Sequence, residues 1–305
     1  MNKFRILNTI AFVIFCFSIG EVISLLLTCL IYDVNASQIF AALKEPVDSD
    51  RSLVMWFLCS SSLFRLLIVP GIYLLFTNKS SITSLWINSK IRPIPLLLSA
   101  IVIFSILPFI LILIEINSNV ALPVWLSELE RFFKEGEANA QRLANFMLSF
   151  GGFKDLIIAV IIVAIIPGIV EEFFFRGLVQ TQFENVLKNH HYAILVTAFL
   201  FSFFHFQFYS FIPKMVSGIL FGYLFAWSKN IVYPIAAHVT NNLIIVLGAY
   251  FWGADINPEG GSFTSIILLL PSIVITVMII LYLKNILTTL PVRANINLKE
   301  TEGRV

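Results

Sequence analysis

The sequence predicts an all-α, polytopic membrane helical bundle of about eight transmembrane helices. Composition is the first reason: 58% of the 305 residues are hydrophobic and only 12% are charged, about half the charged share of a soluble domain. Mean hydropathy is correspondingly high, at +0.91. The second reason is that apolar runs near the 20 or so residues needed to cross a hydrocarbon core recur along the whole chain. The third is that no globular-looking block interrupts them, so 1–305 reads as a single membrane domain.

The runs fall at 6–32, 53–76, 94–114, 156–180, 193–209, 212–228, 231–251 and 263–283. The first follows Lys3 and Arg5 like a signal peptide, but it is too long for one and carries Glu21 in its middle, so it is read as a retained helix. Between the fifth and sixth runs only Ser210 to Lys214 is available for a turn. An even number of spans puts both termini on one side. With that side inside, Lys3, Arg5, Lys90, Arg92, Lys188 and Lys229 are inner, along with the basic residues of the C-terminal tail. The excess of inner Lys and Arg predicts cytoplasmic termini in the cell membrane.

The long outer loop holds Trp125, Leu126, Leu129, Phe132 and Phe133 interleaved with Glu128, Glu130, Arg131 and Lys134. Over 124–147 this predicts an amphipathic helix on the membrane surface, serving as interfacial packing or as a lid that guides substrate. Cys16, Cys29 and Cys59 sit in apolar runs without CxxC spacing and read as small core residues. A net charge of +2 gives no basis for nucleic-acid binding; the partners predicted are the bilayer and a substrate within it.

An ionisable side chain in a membrane helix costs at least about 2.5–3.5 kcal/mol on insertion scales, so each one needs a reason. The fourth run carries Glu171, Glu172 and Arg176. Glu172 and Arg176 are four apart and share a helix face, so they are expected to pair. Glu171 is turned about 100° away, and a carboxylate buried without a cation suits a general base. His205 falls in an aromatic run, and His238 and Asn242 share a face one turn apart. His190 and His191 are read as solvated loop residues. Glu21 and Arg65 are read as structural. Residue counting puts Glu171 and His238 in the cytoplasmic halves of their spans but His205 in the outer half of its own, which leaves convergence of the three incomplete. Pro167 and Pro234, each four residues before one of the polar clusters, are placed to bend their helices.

Several chemistries can be tested against these residues. No HExxH sequence is present to hold zinc on one helix. Asp33, Asp48, Asp50, Asp155 and Asp255 lie at span ends or in loops, so no aspartyl dyad forms within the membrane. Ser217 before Gly218 lacks the context of a membrane serine protease. What remains is glutamate and histidine acting on water, with an ion or proton pathway as the competing use of buried charge.

Glu171-Glu172-xxx-Arg176, Phe201-xxx-His205 and His238-xxx-Asn242 resemble the three motifs of the CAAX protease and bacteriocin-processing (CPBP, Abi-type) family of intramembrane endopeptidases. Phe206, Gly218, Gly222 and Pro234-Ile235 match as well, and the resemblance covers roughly 156–246. It divides the domain into variable N-terminal spans with the amphipathic loop (1–152), a catalytic core (153–250), and a last span with its tail (251–305). The resemblance implies that Glu171 is the general base, that His205 helps it to activate water, and that His238 and Asn242 stabilise the oxyanion. It implies that Glu172 and Arg176 hold the geometry. A variant mechanism in the family has Glu171, His205 and His238 ligating zinc; the metal-free version is favoured here because no pair of histidines is preset on one helix. The substrate implied is a membrane-associated or lipidated peptide. The alternatives are a non-catalytic peptide-binding or immunity protein and a proton-coupled transporter.

Overall fold

The structure, a computed structural model, describes residues 2–77, 89–253 and 262–289. Among these the chain is helical, with no strand beyond an isolated bridge at Ser89 and Asn230. In chain order the helices are α1 (Asn2–Tyr32), the short α2 (Ala36–Lys44), and α3 (51–77), which has a π-helical turn over Phe64–Ile68. Then come α4 (Pro93–Ser118), α5 (Ser127–Met147), α6 (Phe153–Leu187) and α7 (His190–Phe203). The last three are α8 (Phe211–Ser228), α9 (Val232–Trp252) and α10 (Ser262–Thr288).

Among the described residues seven helices are long and apolar enough to span a membrane: α1, α3, α4, α6, α8, α9 and α10. The protein is a multi-pass membrane protein. The remaining apolar run forms a shorter helix than expected. The run 193–209 is apolar throughout, but helix α7 has 14 residues and stops at Phe203, so it reaches about 21 Å at 1.5 Å per residue. That is well short of a hydrocarbon core of about 30 Å. The chain turns at 204–207 and makes a 3₁₀ turn at Phe208–Ser210 before α8, so the reversal comes earlier than Ser210. His190 and His191 are exposed, as expected, but belong to a helix and not to a loop. They open α7, capped by Asn189, whose side chain accepts from the His191 and Tyr192 amides, and His191 Nδ1 lies 2.7 Å from the Tyr223 hydroxyl.

Lipid tails are as apolar as leucine, so helices in a bilayer associate through close packing and interhelical hydrogen bonds rather than hydrophobic burial. Both devices are present. Ser24 and Ser60 hydroxyls meet at 2.6 Å between α1 and α3. Ser272 donates to Ser105 O at 2.6 Å between α10 and α4. Glu21 and Arg65 form an ion pair at 3.3 Å, as their structural reading expected. Val102, Phe221, Leu224, Tyr233 and Leu283 knit α4, α8, α9 and α10 together, while Phe12, Val170, Phe174 and Phe201 do the same for α1, α6 and α7.

Helices α6 and α9 cross at Gly168. A methyl group there would lie 2.6 Å from Val239 Cγ2 and 3.1 Å from the Val239 amide nitrogen. Gly168→Ala is therefore expected to cost about 1–3 kcal/mol by overpacking, read as a lower thermal midpoint in detergent. An unchanged midpoint would mean that the two helices are not in this contact.

Candidate active site

Helix α6 carries the two glutamates at the end of its Ile166–Glu172 segment, where the helix widens into a π-helical stretch over Phe173–Gln180. Such interruptions recur at functional sites. Arg176 lies inside that stretch and is fully buried, as is Glu172. Arg176 Nη1 donates to Glu172 Oε1 at 2.8 Å and Nη2 to Gly218 O at 3.0 Å. Its guanidinium carbon is 4.8 Å from the centre of the Phe201 ring and 5.4 Å from that of Phe221. Here the expected i, i+4 pair forms, and Glu171 stands apart from it.

His238 enters from α9. Its Nδ1 lies 2.7 Å from Glu172 Oε1, the oxygen that Arg176 already holds. Its ring stacks on Phe221 with centroids 4.9 Å apart. His205 is not within a helix, as the sequence suggested, but in the turn that follows α7, with Nδ1 2.7 Å from Phe201 O. This placement removes the difficulty over its depth. Because α7 runs back along α6 from the turn at 188–189, Glu171 and His205 are nearly the same number of residues from that turn. They stand at one level.

Both imidazoles point their remaining nitrogen at Glu171. Glu171 Oε2 is 4.0 Å from His205 Nε2 and 3.8 Å from His238 Nε2, too far for a hydrogen bond. It is buried and lacks a hydrogen-bond partner. A carbonyl and an ionised carboxylate can only accept, so the Nδ1 of each histidine carries the proton and Nε2 presents a lone pair. Two imidazole lone pairs and a carboxylate oxygen therefore face one another. Three acceptors in that arrangement call for a proton donor or a cation among them.

Water meets that requirement by donating to the acceptors. Zinc would meet it through the same atoms. The donor types suit it, and each histidine has the carboxylate or carbonyl behind its Nδ1 that metal-ligating histidines usually have. The separations are wider than the roughly 3.3 Å between ligands around tetrahedral zinc, and no group of three among the described residues has metal-binding spacing.

Asn242 is brought near less directly. It lies one turn beyond His238 on α9, and its hydrogen bond among the described residues is with Asn241, at 3.3 Å. Two residues that sequence reasoning did not assign are Phe201 and Phe221. Phe201 contacts the rings of His205 and His238, at 4.8 and 5.8 Å between centroids, as well as Arg176. The motif spacing named Phe201 without giving it a task. Nothing in the sequence separates Phe221 from the many other phenylalanines.

Helices that converge at one depth on two carboxylates, an arginine and two imidazoles define a multi-pass membrane protein with a buried acid–base centre. Residues 153–244 match the family model described as Type II CAAX prenyl endopeptidase Rce1-like, in keeping with the family that the three motifs in that segment resemble. The matched segment is less than a third of the chain and contains every candidate site residue. Searches among curated proteins and among solved structures gave no match.

Proposed function

We propose that this protein is an intramembrane endopeptidase that hydrolyses a peptide bond of a membrane-associated or lipidated substrate, using water activated by Glu171 and His205. One observation carries this reading: the unpartnered Glu171 Oε2 faces the Nε2 atoms of two histidines whose Nδ1 atoms are already committed. A water among these acceptors is oriented by them and loses its proton to Glu171 as it attacks the scissile carbonyl. That proton then passes to the leaving amine.

The role of His238 follows from its hydrogen bond. With its Nδ1 proton directed at Glu172, its Nε2 is an acceptor in the resting site and becomes an oxyanion donor only once it holds a proton of its own. Asn242 joins as a second donor by turning its amide from Asn241 toward the substrate. A single oxyanion donor is commonly worth about 3–4 kcal/mol. Glu172 and Arg176 fix His238 and keep α6 in register with α8. If zinc is bound, Glu171, His205 and His238 would hold it, and it would supply a bound water of lowered pKa. The catalytic segment is 153–250 within one membrane domain.

The test is a farnesylated peptide ending in a CAAX sequence, incubated with the protein in lipid vesicles, with fragment masses read by mass spectrometry and bound metal measured on the same sample. Cleavage at a single internal bond is the expected result. A peptide that is bound but left intact would favour the non-catalytic binding role. Peptide-independent, proton-driven uptake into the vesicles would favour a transporter. Full turnover in protein free of bound zinc would establish the metal-free mechanism.

A further inference from the structure

The turn that carries His205 does not hold itself in place. Phe206, the next residue, has a φ of +53°, a left-handed conformation that a bulky side chain adopts only when its surroundings impose it. The backbone supports within the turn are the bonds from His205 N to Ser202 O and from Phe206 N to Phe203 O, at 3.2 and 3.0 Å. What fixes the chain beyond it comes from elsewhere in the fold.

Most of that support comes from helix α5. Glu137 Oε2 accepts from the Tyr209 amide at 3.2 Å, and Oε1 accepts from Ser210 Oγ at 3.1 Å and from Gln207 Nε2 at 3.5 Å. Lys214 of α8 donates to the same Ser210 hydroxyl. One turn before Glu137, Phe133 stacks on Phe208 with centroids 4.6 Å apart and planes 4° from parallel. Gly136 sits over Phe206 O. The α4 end contributes Asn117, which donates to Phe208 O at 3.0 Å and accepts from the Ile212 amide at 2.9 Å. The other carboxylates of α5 behave differently. Glu128 and Glu135 face outward and pair with Arg131, and Glu130 pairs with Lys134. All three hydrogen bonds to Glu137 come from the segment that leaves His205.

We propose that Glu137 is a positioning residue for His205: its carboxylate clamps 207–210 and so sets where the His205 imidazole stands against Glu171. This rests on His205 acting in the proposed hydrolysis. It also gives the amphipathic helix a task in the reaction, because α5 exposes Leu129 and Phe132, and the turn just before it Val124 and Trp125, while α5 holds the His205 turn with Phe133 and Glu137.

The experiment uses the full chain in lipid vesicles with Glu137→Gln, Glu137→Ala and, as control, Glu135→Gln. Hydrogen exchange by mass spectrometry is expected to rise in peptides covering 205–212 for both Glu137 variants, more for alanine, and to stay unchanged for the control. Turnover of the farnesylated CAAX peptide is expected to show kcat reduced roughly tenfold or more with KM little changed, as for a catalytic group displaced by a fraction of an ångström. Unchanged exchange at 205–212 in Glu137→Ala would overturn the clamp. Raised exchange with wild-type kcat would overturn the positioning role and leave a structural contact. If the wild-type protein cleaves nothing, the enzymatic reading fails and the positioning role fails with it, while the exchange data still decide the clamp.

Discussion

Glu171→Gln is expected to abolish hydrolysis and leave the fold at least as stable as before. Among the described residues the wild-type Glu171 Oε2 makes no hydrogen bond: it is buried and unpartnered, with two imidazole lone pairs facing it. An amide of the same shape replaces an acceptor with a donor, which those lone pairs can use. What it cannot do is accept a proton from water. Losing a general base of this kind costs about 10²- to 10⁴-fold in rate. Stability retained together with activity lost would distinguish a base from a scaffold.

Arg176→Met is expected to do the opposite and remove the scaffold itself. The guanidinium is fully buried, bonded to Glu172 and Gly218, and flanked by Phe201 and Phe221. Methionine fills part of the space but leaves Glu172 as a buried carboxylate without its cation, a loss of about 3–5 kcal/mol. Activity should fall with it, because Glu172 without its guanidinium partner no longer fixes the ring of His238. The double variant Glu172→Gln/Arg176→Met should recover much of the thermal midpoint, since neither charge is then left alone, yet remain inactive. Equal destabilisation in the single and double variants would mean that the pair is not coupled as its 2.8 Å contact indicates.

Much of this was legible in the sequence because it depends on period and cost. Apolar runs of membrane length located seven long helices. The four-residue spacing located the Glu172–Arg176 pair, since helical rise leaves those side chains few other directions. The end of α7 was not legible. Hydropathy stays high from Ala193 to Tyr209, yet the helix stops at Phe203, and the polar side chains of His205 and Gln207 inside the run were the available sign of an interruption. The same limit explains Asn242: a shared helix face shows which way a side chain leaves the helix, not whether its amide reaches the glutamates. Glu137 was hidden among the solvated carboxylates of an amphipathic helix. Its one signal is that it shares the apolar face of Phe133, one turn earlier.

The central claim is that Glu171 is the group that activates water. The most direct measurement is turnover of the farnesylated CAAX peptide by wild-type and Glu171→Gln protein in the same vesicles, with thermal unfolding confirming that both are folded. The account predicts a loss of about 10²-fold or more at an equal or higher midpoint. Wild-type turnover by folded Glu171→Gln protein would contradict it.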